Sequence, residues 1–380
     1  MAIIDREPAG STCRPPDGYL DAAGGQPPRP EVLQAWERAA RQGWADTGAL
    51  HGPGRQGQML LEAARASLAT SLSACIDGPP IRPEQIWLTA SGDQARDALL
   101  GGMPGPLVTG AVETVPILQQ AESRPGSTVV GVDAQGRVDA QACALACTQT
   151  PGAVLCLQLA NAEVGTVQSV IPRPEQVPRI ADATACIGRI QIPDGWSAIW
   201  ASADDWAAPG GLGVAVIRDA RRGLRPTGAV GGWIGGSCDV PAAVAAAIAA
   251  EGVVADWRSE SVRATGLIDL LREQVPARVP DVEVVGDPVN RLPHVLTFSV
   301  LYVSGEALVG ELDRAGFAVA SGSACVAEEQ RPSHVLAAMG AYTGGNIRIT
   351  LPFGCSADTV HGFLAALAGA VGRLRAEVGR

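Results

Sequence analysis

The sequence has 380 residues, of which 47% are hydrophobic, and a formal net charge of −10 at pH 7. These values are typical of a folded globular chain with one large and one smaller domain, and the acidic balance without a basic run argues against a nucleic-acid partner. The nine cysteines are dispersed along the chain, which is typical of reduced thiols. The apolar run 240–250 is too short to span a membrane, and residues 1–13 carry no signal pattern. We therefore expect a cytoplasmic protein.

Apolar runs and helical patterns alternate along the first two thirds of the chain. Helices are predicted over 30–41, 58–71 and 241–255, and strands over 86–89, 107–108, 128–132, 153–159, 179–180, 198–200 and 214–217. Short apolar runs separated by Gly and Pro predict a mostly parallel α/β sheet. From about Ser259 the pattern is helix, strand, strand, helix, strand, helix. We therefore expect a large α/β domain over 15–258 and a smaller α+β domain over 259–380, against which residues 1–14 pack.

A cysteine lies in a stretch of small, turn-forming residues, Ala320-Ser321-Gly322-Ser323-Ala324-Cys325, and Pro332-Ser333 then opens a helix. Small residues leave the backbone free to move, and a mobile exposed thiol suits sulfur chemistry. The alternative is a free cysteine on a loop.

This stretch resembles the sulfur-accepting loop of group I cysteine desulfurases, the NifS- and IscS-like enzymes of aminotransferase class V. Residues 291–296, 303–308 and 346–350 resemble the flanking family segments, and the resemblance runs from about Tyr19 to the C-terminus. It implies the fold of fold-type I enzymes dependent on pyridoxal phosphate (PLP): a mostly parallel seven-stranded sheet, a smaller C-terminal α+β domain, and a homodimer. It also implies that Cys325 accepts sulfur, that Arg348 binds the substrate carboxylate, and that Asn161 shapes the floor of the site.

The resemblance also assigns the cofactor positions, and several of them depart from the family pattern. Asp182 matches the aspartate that faces the pyridine nitrogen of PLP and keeps it protonated; the alternative is a strand-end aspartate that caps a turn. Thr114 falls where a histidine stacks on the ring. Asp205 falls at the lysine that bonds the cofactor, and Asp204 falls at the histidine beside it.

The chain contains no lysine, because all 29 basic residues are arginines. No side-chain amine is therefore available to form a Schiff base with PLP. The residues that hold the PLP phosphate in the family, here called the phosphate cup, are also altered. Gly92 and Asp93 lie at the start of a helix, where Asp93 could accept the helix N–H groups. Asp239 falls at the position of a threonine that the partner subunit contributes in the family. Two like charges about 4 Å apart cost roughly 4 kcal/mol, whereas micromolar binding totals about 8 kcal/mol. We therefore expect Asp93, Asp204 and Asp239 to repel the phosphate.

On these grounds the sequence predicts a cysteine-desulfurase-like pseudoenzyme that binds no cofactor. It would act as a scaffold, a regulator or a Cys325 sulfur acceptor, with a sulfur-acceptor protein or a desulfurase as partner. One alternative is an active cysteine desulfurase or related C–S lyase that holds PLP noncovalently. Another is a non-catalytic subunit of a heteromeric desulfurase, against which Asp239 argues.

Two further features leave alternatives open. Cys143 and Cys147 are spaced for adjacent helical turns, which favours helix packing over a metal site, and the four histidines have no metal spacing, so we expect no metal. Trp206 or Trp233 is expected to fill the space that PLP would occupy.

Overall fold

The computed structural model describes residues 16–218, 229–322 and 332–377, which form a nine-stranded sheet, a three-stranded sheet and the helices around them. The strands of the larger sheet are β1 (Ile86–Thr89), β2 (Leu107–Gly110), β3 (Thr128–Val130), β4 (Val154–Cys156), β5 (Arg179–Asp182), β6 (Ala198–Ser202), β7 (Gly213–Ile217), β8 (Ala229–Val230) and β9 (Trp233–Ile234). Those of the smaller sheet are β10 (Val282–Val285), β11 (Val295–Val300) and β12 (Asn346–Thr350). The helices are α1 (Pro30–Gln42), α2 (Gly52–Cys75), α3 (Gly92–Gly101), α4 (Val115–Ser123), α5 (Ala140–Gln149), α6 (Val240–Arg278), α7 (Gly305–Arg314), α8 (His334–Met339) and α9 (Ala357–Glu377).

The larger sheet has the strand order β3-β2-β4-β5-β6-β7-β1-β9-β8. Strands β2 to β6 pair in parallel, whereas β7 is antiparallel to both β6 and β1. This arrangement confirms the predicted α/β fold with a mostly parallel sheet, and the two-residue strands β8 and β9 extend it beyond seven strands. Because β5 and β6 are parallel neighbours, the residues that follow them meet at one edge of the sheet, where α/β folds place their ligands.

Helices cover both faces of this sheet. Successive strand residues point to opposite faces, so Ile180 packs with Leu99 of α3 and Ile117 of α4 on one face, while Ala181 packs with Leu68 of α2 and the alanines of α6 on the other. The alanine side chains of α6 are small enough to let α1 and α2 approach closely. The sheet is thus buried on both faces, as the apolar runs of its strands predict.

The long helix α6 connects the two sheets. The predicted helix 241–255 continues to Arg278, so that α6 has 39 residues, and its last third places Leu267, Ile268 and Leu271 in the core of the small domain. By length and composition alone α6 could cross a membrane, but most of its apolar stretch is buried inside the protein. The helix therefore contributes buried residues to the cores beside both sheets.

In the smaller sheet β11 pairs antiparallel with β10 and β12, and Thr297 lies opposite Arg348. Phe298, Ile347 and Ile349 enter the core of the small domain. Because side chains alternate along a strand, Thr297 and Arg348 point to the other face. Thr297 donates a hydrogen bond from Oγ1 to the backbone oxygen of Glu163, 2.5 Å away, so this polar face is turned toward the large domain.

Candidate functional site

Three aspartates meet at the carboxyl ends of β5 and β6. Asp182 is the last residue of β5, and its Oδ1 accepts a hydrogen bond of 2.8 Å from the backbone nitrogen of Thr184. Asp204 and Asp205 lie on the 3₁₀ turn Ala203–Trp206, directly after β6. Asp182 thus caps the turn that follows β5, as the alternative interpretation predicts. Its role toward the pyridine nitrogen stays a prediction.

Asp205, which the resemblance places at the family's lysine position, interacts electrostatically with both Asp182 and Arg348. Burial, together with the neighbouring charges of Asp204 and Asp182, raises its pKa to about 7, although Arg189 and Arg348 act to lower it. Burial also raises the pKa of Asp182. A buried carboxyl group with a raised pKa therefore lies where the sequence resemblance predicts the family's lysine.

The start of α3 differs from the prediction. Ser91 is the N-cap, accepting a hydrogen bond from the backbone nitrogen of Gln94 at 3.1 Å, whereas the Asp93 side chain is 78% exposed and paired with Arg96 Nη1 at 2.5 Å. The expectation that Asp93 accepts the helix N–H groups was wrong, because Ser91 already fills the cap position and Arg96, one turn on, attracts the carboxylate. Gly92 is required here, since a Cβ would lie 2.9 Å from the Cβ of Ser202.

The other two aspartates of the expected phosphate cup also have partners. Asp204 accepts a hydrogen bond from Ser202 Oγ, and Asp239 caps α6 by accepting one from the backbone nitrogen of Ala242 at 2.9 Å. With Asp93 paired to Arg96, the repulsion expected from three free carboxylates is reduced by one of them. The partners of Asp204 and Asp239 are neutral groups, which satisfy a carboxylate without offsetting its charge.

Arg348 projects from β12 toward the same region. Its Nη2 lies 3.1 Å from Asp21 Oδ1, and its side chain is 18% exposed. Within the described ranges, its buried Nε has no hydrogen-bond partner. A guanidinium with an unused donor is suited to a carboxylate ligand.

Asn161 and Thr114 have structural contacts. Asn161 is buried, donates to the backbone oxygen of Val112 at 3.0 Å, and accepts from the backbone nitrogens of Glu163 and Val164. It therefore builds the turn that forms the floor of the site. Thr114 is exposed at the start of α4 and makes no side-chain cap.

Cys325 lies outside the described residues, which end at Gly322 and resume at Pro332. The flanks of this segment contact the large domain: Ser333 Oγ donates to Glu163 Oε1 at 2.6 Å, and His334 Nε2 lies 2.8 Å from the backbone oxygen of Glu113. A Cβ on Gly322 would lie 2.4 Å from the same Glu163 oxygen. One carboxylate therefore lies beside both ends of the segment that carries Cys325.

The two tryptophans are buried in the same hydrophobic core but have different hydrogen-bond partners. Trp206 is fully buried and donates from Nε1 to the backbone oxygen of Ala246 in α6 at 3.1 Å, whereas Trp233 donates to Gly235 at 2.7 Å. Trp206 is part of the core between the 3₁₀ turn and α6. The proposal that one of them fills the PLP space stays a prediction.

The sequence reasoning missed two buried charged residues. Glu113 is 1% exposed, and burial raises its pKa to about 8 although the backbone N–H of Gln158 stabilises its charge. Arg189 is 2% exposed, lies 3.5 Å from the centre of the Phe353 ring, and donates to the backbone oxygen of Leu351. No local signal marks either residue as buried, since Glu113 lies three residues beyond the end of β2 and both contact residues that are distant in the sequence.

Comparison with known proteins agrees with this arrangement. The family model of aminotransferase class-V matches residues 105–361. A cysteine desulfurase of Cereibacter sphaeroides is 31% identical, with 94% of this chain and 96% of that protein covered, and an IscS-like cysteine desulfurase of Mycobacterium tuberculosis is 30% identical over 94% and 97%. The solved structure of a NifS-like protein from Rickettsia africae superposes with a TM-score of 0.81 at 20% identity, over 93% of this chain and 99% of that one.

These matches overturn the expectation that the chain uses no cofactor. That expectation rested on the missing lysine and on the charge of the phosphate cup, and the cup's aspartates are engaged with Arg96, Ser202 and the start of α6. PLP is the cofactor of the enzymes that the chain resembles over nearly its whole length. The chain belongs to the cysteine desulfurase family of class-V aminotransferases, a PLP-dependent family.

Proposed function

We propose that this chain acts on the sulfur of cysteine and holds PLP without a covalent bond. The observation that carries the proposal is that Asp182 and Arg348 both act electrostatically on Asp205, so the cofactor-side carboxylate and the substrate-side arginine share one site. The relatives named above are cysteine desulfurases, which supports cysteine as the substrate.

The residues present fit PLP held noncovalently. Asp182 would take the pyridine nitrogen, and the backbone N–H groups at the start of α3 would hold the phosphate, because helix N-termini attract anions. Arg96 is already paired with Asp93 and Asp97. No lysine is available to bond the aldehyde. When bound, PLP supplies an electron-withdrawing ring that weakens the bonds at the α-carbon of an amino acid.

The chain's own residues then have distinct roles. Arg348 binds the substrate carboxylate through the donors that Asp21 leaves unused. Asp205, with a pKa of about 7, holds or releases a proton at its carboxyl oxygen near neutral pH, as a general acid or base requires. Without a lysine amine to deliver and receive the substrate, we expect turnover to be slow relative to enzymes that have one.

Arg348→Gln is expected to raise the KM for cysteine by about 10- to 100-fold, because a charge-assisted hydrogen bond contributes roughly 1.5–3 kcal/mol. The affinity for PLP should change little. The release of sulfide and alanine is measured with added PLP. The Arg348→Lys variant keeps the charge but loses the planar guanidinium, so its KM for cysteine should lie between those of the wild type and Arg348→Gln. Equal KM values in all three proteins would remove Arg348 from the site.

A second candidate is a non-catalytic sulfur acceptor or scaffold, and the carboxyl group of Asp205 at the lysine position favours it. An acceptor given an active desulfurase and cysteine should gain about 32 Da at Cys325, the mass of one persulfide sulfur. Cys325→Ser should abolish the gain. A scaffold would gain no mass and would be indifferent to Cys325→Ser.

We also propose that the chain forms a homodimer. Large apolar side chains are exposed along α1, the following loop and α2, namely Leu33, Trp36, Trp44, Leu50 and Met59. Leu50 is 90% exposed and Trp44 72%, and large apolar side chains exposed within one region of the chain are typical of a protein interface. Light scattering should give a dimer mass, and Leu50→Asp should shift it toward the monomer.

A further inference from the structure

The side-chain amide of Gln26 connects segments that follow strands of the two sheets. Its Nε2 donates a hydrogen bond of 2.8 Å to the backbone oxygen of Asp205, on the turn that follows β6. Its Oε1 accepts one of 3.0 Å from the backbone nitrogen of Phe353, which lies just beyond the end of β12. One amide therefore ties the turn that carries Asp205 to the strand that carries Arg348.

A buried arginine contacts the same amide oxygen. Arg189 Nη2 lies 3.4 Å from Gln26 Oε1 and 3.2 Å from the backbone oxygen of Leu351. The guanidinium of Arg189 lies 3.5 Å from the centre of the Phe353 ring. Because Arg189 is 2% exposed, Nη2 depends on acceptors inside the protein. Gln26 supplies one of them, so its amide is part of a buried polar contact as well as a link between two segments.

The chain presents Gln26 from a stiff segment. Gly25 has a φ of 127°, a conformation that residues with a side chain rarely adopt, and Pro27 and Pro28 fix their own φ angles. The hydroxyl of Tyr19 donates to the backbone oxygen of Gly25 at 2.6 Å. Because the backbone is held on both sides of Gln26, the fold itself sets the position of the amide.

Only a side-chain amide can satisfy both backbone partners. The oxygen of Asp205 needs a donor and the nitrogen of Phe353 needs an acceptor, and glutamine offers one of each. An ionised glutamate would keep the acceptor and would give Arg189 a charged partner, but it would turn a second oxygen toward the carbonyl of Asp205. One isosteric substitution can therefore separate the contact with the Asp205 turn from the contacts with Phe353 and Arg189.

We propose that Gln26 is a positioning residue, which holds the Asp205 turn in place relative to β12 and so sets the distance between the Asp205 carboxyl group and Arg348. This inference rests on the function proposed above, in which Asp205 holds or releases a proton. Asp205 interacts electrostatically with both Arg189 and Arg348, so a movement of the turn changes its distance from both. A displacement of about 1 Å at a reacting group can lower a rate by roughly 100-fold.

The kinetic test compares Gln26→Glu and Gln26→Met with the wild type at saturating PLP. Both variants should lower kcat for cysteine by about 10- to 100-fold and change KM by less than about twofold, because the pair of Arg348 and Asp21 is untouched. Gln26→Glu should unfold at the same urea concentration as the wild type, since Arg189 and Phe353 keep an oxygen partner. A purely structural role would lower the stability of this variant and leave its kcat unchanged.

Hydrogen exchange over 203–208 follows the turn without PLP or cysteine. The backbone N–H groups of Ala207 and Ala208 are bonded within the turn, and their exchange should rise roughly five- to tenfold in both Gln26 variants. The control Gln119→Glu adds the same charge on an exposed part of α4 and should change neither exchange nor kinetics. Unaltered exchange in both Gln26 variants, or an active wild type whose kcat neither variant lowers, would overturn the role of Gln26 alone. A wild type that turns over no cysteine would overturn the proposed function, while the exchange result would still show whether Gln26 holds the turn.

Discussion

Asp205→Lys is expected to change a protein that binds PLP reversibly into one that carries it covalently. The substitution places an amine where the family has one, directly after β6 and in the electrostatic field of Asp182 and Arg348. Burial lowers the pKa of a lysine and leaves a larger share of its amine neutral and nucleophilic. After incubation with PLP and borohydride reduction, intact mass should show near-stoichiometric addition of one PLP in the variant and none on a wild-type side chain.

The matched control is Asp205→Asn, which removes the carboxylate without adding an amine. It should bind PLP at least as tightly as the wild type, because one negative charge is lost, and it should show no covalent addition. If the Asp205→Lys variant folds and binds PLP but is not labelled, Asp205 does not occupy the position of the family's lysine, and the alignment of 202–213 is wrong.

Glu113→Gln is expected to make the protein markedly more stable at alkaline pH and to flatten the dependence of its stability on pH. The carboxyl group is 1% exposed, and burial, with a smaller contribution from Asp182, raises its pKa to about 8. Because the unfolded chain has a pKa near 4.3, the folded state holds the proton more strongly. Stability is therefore full below about pH 4.3 and is lost as the pH rises toward 8.

The size of the effect follows from the same shift. Between about pH 5 and pH 8, one buried group of this kind removes roughly 3 kcal/mol of unfolding free energy. Glutamine keeps an oxygen that can accept the hydrogen bond from Gln158 and has no charge to bury. Urea unfolding of both proteins at the two pH values isolates Glu113, since the other titrating groups are common to both. Parallel pH profiles in the wild type and the variant would contradict the assignment.

Much of the fold could be predicted from the sequence, because the signals are local. Apolar runs between glycines and prolines mark the buried strands, and the predicted helix 30–41 lies within α1. The full length of α6 could not be predicted from the sequence. Its second half is buried by contacts with the core beside the smaller sheet, and its own residue pattern does not mark it as a continuation of the helix. Tertiary contacts override local signals in such elements.

The roles assigned to Asp182, Asp205 and Arg348 stay predictions, although Asp182 and Arg348 both act electrostatically on Asp205. The charge near the start of α3 depends on the partner that each carboxylate has in the folded chain. The pairing of Asp93 with Arg96 could have been anticipated from their i, i+3 spacing, which brings side chains together on a helix. The burial of Glu113 and Arg189 could not, because it depends on residues far away in the sequence.

The most direct test of the account is a titration of the wild-type protein with PLP, followed by absorbance from about 300 to 500 nm, where the cofactor absorbs. The account predicts a saturable spectral change that dialysis reverses, that borohydride does not fix to the protein, and that cysteine alters. No saturable change with PLP would contradict noncovalent binding. A covalent adduct on a wild-type side chain would contradict the conclusion that no residue of this chain replaces the lysine.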